Sequence, residues 1–176
     1  MTTNLKNIFA RYKLKLATCN ELQRAAVKLL DQGRFSDALV ELAGVDVLTT
    51  EECRVLFEKA VTELGVELPS DDEAIWEVLK EYIKNIAESI VSPREGMRRI
   101  VEEIVHPAHL HQKTTKYLGD SHDIEKLLGG YYAYDDLKER PMETSYKGKH
   151  GEEAIKAYDQ RMINLAQEWI KKHREK

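Results

Sequence analysis

The chain has 176 residues, 42% of them apolar and 33% charged, with a formal net charge of −4. That length holds one compact core or a small domain with an appendage, and the apolar share excludes a disordered chain. No apolar run nears the ~20 residues that a bilayer-spanning helix needs.

The helix signals follow one another along the chain. A first helix is predicted near residues 4–16. A second starts after Asn20 as N-cap, buries Leu22, Ala26, Leu29 and Leu30, and stops at Gly33. Phe35 to Leu42 reads as a short third helix, with Phe35, Ala38, Leu39 and Leu42 on one face and Gly44 at its end. Thr49 with Glu52 forms a capping box for a fourth, which carries Leu56, Ala60 and Leu64 before Gly65. Ser70 with Glu73 opens the strongest helix, in which Ile75, Leu79, Tyr82, Ile83, Ile86 and Ile90 recur at three- and four-residue steps. Ser92, Pro93 and Glu95 start the next, with Met97, Ile100, Val101 and Ile104 as its buried stripe and Pro107 at its end. Residues 107–119 read as a loop and Asp120–Gly129 as a short helix stopped by Gly129-Gly130. Residues 131–151 form an irregular, tyrosine-rich segment. A final helix from about Glu152 to Lys172 carries Ile155, Tyr158, Met162, Leu165 and Trp169. The expected fold is therefore all-α, a bundle of seven or eight helices over 1–176, with subdomains 1–68 and 69–176 compatible with the pattern.

Charge is unevenly placed. Residues 1–34 carry seven Lys/Arg against two Asp/Glu, net +5. Residues 35–92 carry four against fourteen, net −10, and residues 93–176 sixteen against fifteen, net +1. The acidic middle either packs beside the basic first helix or faces a basic partner. The basic surplus is small and has little aromatic interleaving, which disfavours nucleic acid. The two cysteines, Cys19 and Cys53, make no Cys-x-x-Cys unit and hence no cysteine zinc site. Leu16-Ala17-Thr18-Cys19 has the shape of a lipoprotein cleavage box, but basic, amphipathic Arg11–Lys15 stands where an apolar stretch is required. The expectation is a cytoplasmic protein with two buried or half-buried thiols rather than a disulfide.

Several groups could carry chemistry. His106, His109 and His111 cluster around Pro107, and His122 and Asp123 could join them as ligands of a divalent metal. Tyr131, Tyr132 and Tyr134 beside Asp135 and Asp136 give aromatic faces with an anionic rim, suited to a cationic or peptide partner. Gly33-Arg34-Phe35-x-x-Ala38-Leu39 resembles the turn of a tetratricopeptide unit, but no second copy follows at the repeat spacing, which leaves a plain helical hairpin. His122-Asp123 resembles the paired ligands of HD phosphohydrolases, although polar Gly119-Asp120-Ser121 replaces the apolar run usual before them. Arg99 and His106, with six residues between, resemble the Arg-x(4–6)-His element of HEPN-type ribonucleases. That implies an Arg stabilising phosphate charge and a His in acid–base work. The polar residue usual after that Arg is absent.

Ile86-Ala87-Glu88-Ser89-Ile90-Val91-Ser92-Pro93-Arg94-Glu95-Gly96-Met97-Arg98-Arg99-Ile100 resembles a segment of small bacterial all-helical proteins. In these an Ile-rich helix reaches a Ser-Pro-x-x-Gly step, followed by an acidic segment and a C-terminal helix. The resemblance covers the second half of the chain and implies no catalytic residues. It implies a binding role of the toxin-neutralising, immunity-like or defence-accessory kind. The sequence thus leads to a non-enzymatic protein–protein interaction protein without cofactor, with Tyr131, Tyr132, Tyr134, Asp135 and Asp136 as partner-facing residues and homo-oligomerisation left open. The alternative is a small helical RNase or metal-dependent phosphohydrolase using Arg99 and His106, or the histidine cluster.

Overall fold

A computed structural model describes residues 4–44, 49–110, 120–139 and 145–174, without the side chains of residues 120, 135, 136, 138 and 139. The described residues are all-α. They form helices α1 (Leu5–Lys13), α2 (Cys19–Asp31), α3 (Asp37–Gly44), α4 (Thr50–Glu63), α5 (Asp71–Ala87), α6 (Pro93–Arg99), α7 (Glu125–Glu139) and α8 (Gly151–Lys172). A π-helical turn, Ile100–Val105, prolongs α6, and a 3-10 turn, Asp120–His122, precedes α7. Among the described residues the one β-type pairing is an isolated bridge, Tyr146 with Lys149. No described helix is long and apolar enough to cross a membrane. The chain divides into two compact units, Met1–Val78 and Leu79–Lys176, with the boundary inside α5.

In the first unit α2, α3 and α4 close around Leu22, Ala25, Ala26, Leu39, Leu42 and Phe57, all without measurable exposure. Small Ala25, Ala26, Ala38 and Ala60 let the helices approach closely, and the Phe57 ring fills the space left between them. Phe9 and Tyr12 of α1 pack onto that ring, at centroid distances of 5.8 and 4.8 Å. The helix starts follow the local chemistry. Thr49 and Glu52 exchange the two bonds of a capping box at α4, and Ser70 bonds the same way with Glu73 at α5.

Two expectations for this unit are corrected. The N-cap of α2 is Thr18, boxed with Glu21, and not Asn20. Arg11 decides between the two, because it pairs with Glu21 at 2.9 Å and also donates to the Leu16 carbonyl. Phe35 does not join the buried stripe of α3. It precedes the helix and is 69% exposed, while Ser36 is buried and its hydroxyl accepts from Leu39 N–H.

The second unit packs the end of α5, α6, α7 and α8 around Ile83, Ile86, Met97, Ile100, Ile104, Leu110 and Ile124. Ser92 caps α6 with Pro93 at its first position, as the sequence predicts. Gly96 is required there: a Cβ on it would lie 2.4 Å from Ile86 Cγ1. α5 ends at Ala87, so Ile90 falls outside the helix and is exposed.

The irregular tyrosine-rich segment is corrected over residues 131–139, because α7 runs straight through Gly129-Gly130 and on to Glu139, while residues 140–144 lie outside the described residues. The glycines do not stop the helix. Gly130 is buried, and a Cβ there would stand 2.4 Å from Met162 Sδ. α8 therefore lies against bare α7 backbone, and the Tyr158 hydroxyl donates to the Gly130 carbonyl at 3.0 Å. Long-range contact outweighs the low helix propensity of the glycine pair.

Candidate functional site

The tyrosines that the sequence singles out sit on α7 in unequal surroundings. Tyr134 is buried, and its hydroxyl donates to Asp159 Oδ1 at 2.6 Å. Burial, then the hydrogen bond to and the charge of Asp159, push its phenol well above the ordinary tyrosine value. Its ring meets Tyr158 edge-on at 5.5 Å, and Tyr146 meets Tyr158 the same way at 5.0 Å. The Arg161 guanidinium lies 5.9 Å from the Tyr146 ring centre and 5.4 Å from that of Tyr158. These rings join α7 to α8. Tyr131 is half-buried and Tyr132 exposed. The Asp135 and Asp136 side chains lie outside the described residues.

His122 and Asp123 form a clamp on the end of α8. Asp123 adopts a left-handed backbone, φ 58°, in the turn before α7. Its Oδ2 takes His173 Nε2 at 2.9 Å and also pairs with Lys172 Nζ. Burial raises the Asp123 carboxyl, but the hydrogen bonds from Lys172 and His173 outweigh it and hold the group below the ordinary carboxylate value. Trp169 Nε1 donates to the His122 carbonyl, and Ser121 Oγ lies 3.0 Å from His122 Nδ1. His122 and His173 are both buried. Asp123 thus secures the last turn of α8 to the chain before α7.

The remaining candidates are not brought together by any described contact. Arg99 donates to Glu95 Oε1 at 3.2 Å. Arg98, then Arg99, hold the Glu95 carboxyl down at about 2. His106 N–H bonds to Val101 O, five residues back. With this π turn between them, Arg99 and His106 lose the two-turn, same-face relation that seven positions give in an α-helix. His106 and His109 are exposed, and His111 lies outside the described residues. Among the described residues, no three His, Cys, Asp or Glu side chains are grouped to hold a metal ion.

The first unit holds features that the sequence does not announce. Cys19 and Cys53 are joined in a disulfide, with Cα atoms 5.4 Å apart, which overturns the expectation of two thiols. α1 and α2 turn back sharply at Lys15, φ 61°, and this places the start of α2 over α4. Arg54, next to Cys53, donates to the Lys15 carbonyl at 2.7 Å. An open groove of about 650 Å³ runs beside this turn, with Tyr12, Val61, Val66 and Leu68 among its lining and Lys15 and Glu58 at its rim. Burial and Glu58 raise the Tyr12 phenol against the opposing charge of Arg54.

The outward faces of α3 and α4 carry apolar side chains among carboxylates. Val40 is exposed between Asp37 and Glu41, and Val55 is 56% exposed with Glu51, Glu52 and Glu58 one turn away. The buried row of α4 is Cys53, Phe57, Ala60 and Val61. The spacing of that row was the available signal that Val55 points outward. No family model, curated protein or solved structure matches the chain.

Proposed function

We propose that the first unit is a non-enzymatic interaction module that docks a basic partner protein on the outward faces of α3 and α4. The observation that carries this reading is the exposure of Phe35, Val40 and Val55 among carboxylates. Apolar side chains inside a charged rim have the composition of a docking patch. The net charge of −10 over residues 35–92 would steer a cationic surface toward it. The resemblance of residues 86–100 to small bacterial helical proteins favours a neutralising, immunity-like partner role within this reading, in a cytoplasmic setting. The tyrosine segment is the weaker candidate surface, since Tyr134 is committed to Asp159.

The test is affinity capture from the source organism with the wild-type chain and with a Phe35→Ser/Val55→Lys variant. The captured protein is then purified and titrated. The expected partner is basic, binds at least about ten-fold more weakly to the variant, and loses affinity between low and high salt. Equal binding by both chains, or an acidic partner indifferent to salt, would overturn the reading.

A further inference from the structure

We infer that the Cys19–Cys53 bond is a reversible redox site, opened by a dithiol through Cys19, and not a bond on which the fold depends. This stands apart from what the first unit binds.

Access is one-sided. Cys53 has no measurable exposure, whereas Cys19 is half-buried at the start of α2. An incoming thiolate therefore reaches Cys19 Sγ and not Cys53 Sγ. Cys19 is also the first residue of a 13-residue helix, whose free amides and dipole favour a thiolate at that end. The nearby acid, Glu21, is already committed: it accepts from Thr18 N–H and hydroxyl and pairs with Arg11.

The structure around the bond does not need it. Cys53 belongs to the same core as Phe57, Leu22, Leu39 and Leu42, and Cys19 packs against it, so each sulfur keeps its apolar surroundings as a thiol. The turn carrying Lys15 is fastened twice more, by Arg54 to the Lys15 carbonyl and by Arg11 to the Leu16 carbonyl at 3.2 Å. With the bond open, Cys53 becomes a buried thiol of ordinary kind.

The reaction is thiol–disulfide exchange with a dithiol reductant. Its thiolate attacks Cys19 Sγ, the Cys19–Cys53 bond breaks, and Cys53 leaves with the electron pair and takes a proton. The reductant's second thiolate then attacks its own sulfur in the mixed disulfide and releases Cys19 as a thiolate at the α2 terminus. The reductant ends as a disulfide and the protein as a dithiol, a two-electron exchange.

The test is to treat the full, native chain with reduced dithiothreitol, alkylate it with iodoacetamide, and read the labelled cysteines by mass spectrometry beside the far-UV circular dichroism. The expected result is reduction without denaturant and retained helical signal. Cys19 should alkylate on the order of 100-fold faster than Cys53, and oxidised dithiothreitol should restore the bond. A bond that resists excess dithiothreitol until the chain is unfolded would overturn the proposal, as would loss of the helical signal on reduction. A Cys53→Ala variant checks the route: it should take up one glutathione at Cys19 from oxidised glutathione, and failure to do so would refute entry through Cys19.

Discussion

Two part-buried hydrogen bonds of the second unit lead to predictions of opposite sign in pH. The Tyr134 phenol is raised by burial and by Asp159. A raised acid is stabilising while it stays protonated, so its contribution is whole below the ordinary tyrosine value near 10 and is lost as pH rises beyond it. Tyr134→Phe should cost about 1 to 2 kcal/mol in urea unfolding at neutral pH and flatten the loss of stability in alkali. Asp123 is the reverse case. Its carboxyl is held down by Lys172 and His173, so its contribution is present above the ordinary aspartate value near 4 and is lost as pH falls through the lower, folded value. Asp123→Asn should lower stability at neutral pH and reduce the slope of acid unfolding below pH 4, as followed by Trp169 fluorescence. A slope equal to that of the wild type would show that the clamp does not act through charge.

At the scale of the helix, glycines separate local from long-range control. Gly96 faces Ile86 and Val91, and Gly130 faces Met162, whereas Gly129 has nothing within 4 Å of its Cβ position. Gly129→Ala should stabilise α7 by about 0.5 to 1 kcal/mol, because it removes backbone freedom without a clash. Gly96→Ala should cost about 1 to 3 kcal/mol, because branched Ile86 is held in the core. Gly130→Ala should fall between, since an unbranched methionine yields more readily. Thermal unfolding of the three variants ranks them, and a Gly130 variant as stable as the Gly129 one would remove the reason given for the α7–α8 contact. The same contrast explains what could be read from residue order. Thr49–Glu52, Ser70–Glu73 and Ser92-Pro93 are signals no more than four residues long, completed within the helix they start, and all three were legible. Gly129-Gly130 reads as a stop by the same local rule, and only Met162 and Tyr158, some thirty positions on, make it a helix interior. Phe35 likewise fits a helical stripe by spacing, yet Ser36 starts the helix one position too late for it to be buried.

Over the whole chain, the candidate sites were less legible than the helices because they depend on pairs far apart in sequence. Cys19 and Cys53 are 34 positions apart, and His173 reaches Asp123 across 50. No spacing rule covers either. The division at Val78 places one tryptophan in each unit, Trp76 in the first and Trp169 in the second. Closing a loop of that length by a disulfide is worth up to about 4 kcal/mol. Dithiothreitol should therefore lower the urea midpoint reported by Trp76 in a Trp169→Phe chain. The midpoint reported by Trp169 in a Trp76→Phe chain should stay in place. Equal displacement of both would show that the two units unfold in one step.

The π turn at Ile100–Val105 has a consequence for chain length. Such a turn holds one residue more than an α-helical turn bonded over four. Deleting a single residue there would let α6 continue as ordinary helix, keeping Ile100 and Val101 on the buried side. Because the π turn already takes up that extra residue, everything after the deletion would keep its direction about the helix axis. Chains of this kind that differ by one residue at this point would share a core and present His106 and His109 in the same directions, so an alignment gap here would mark a change of neither surface nor fold.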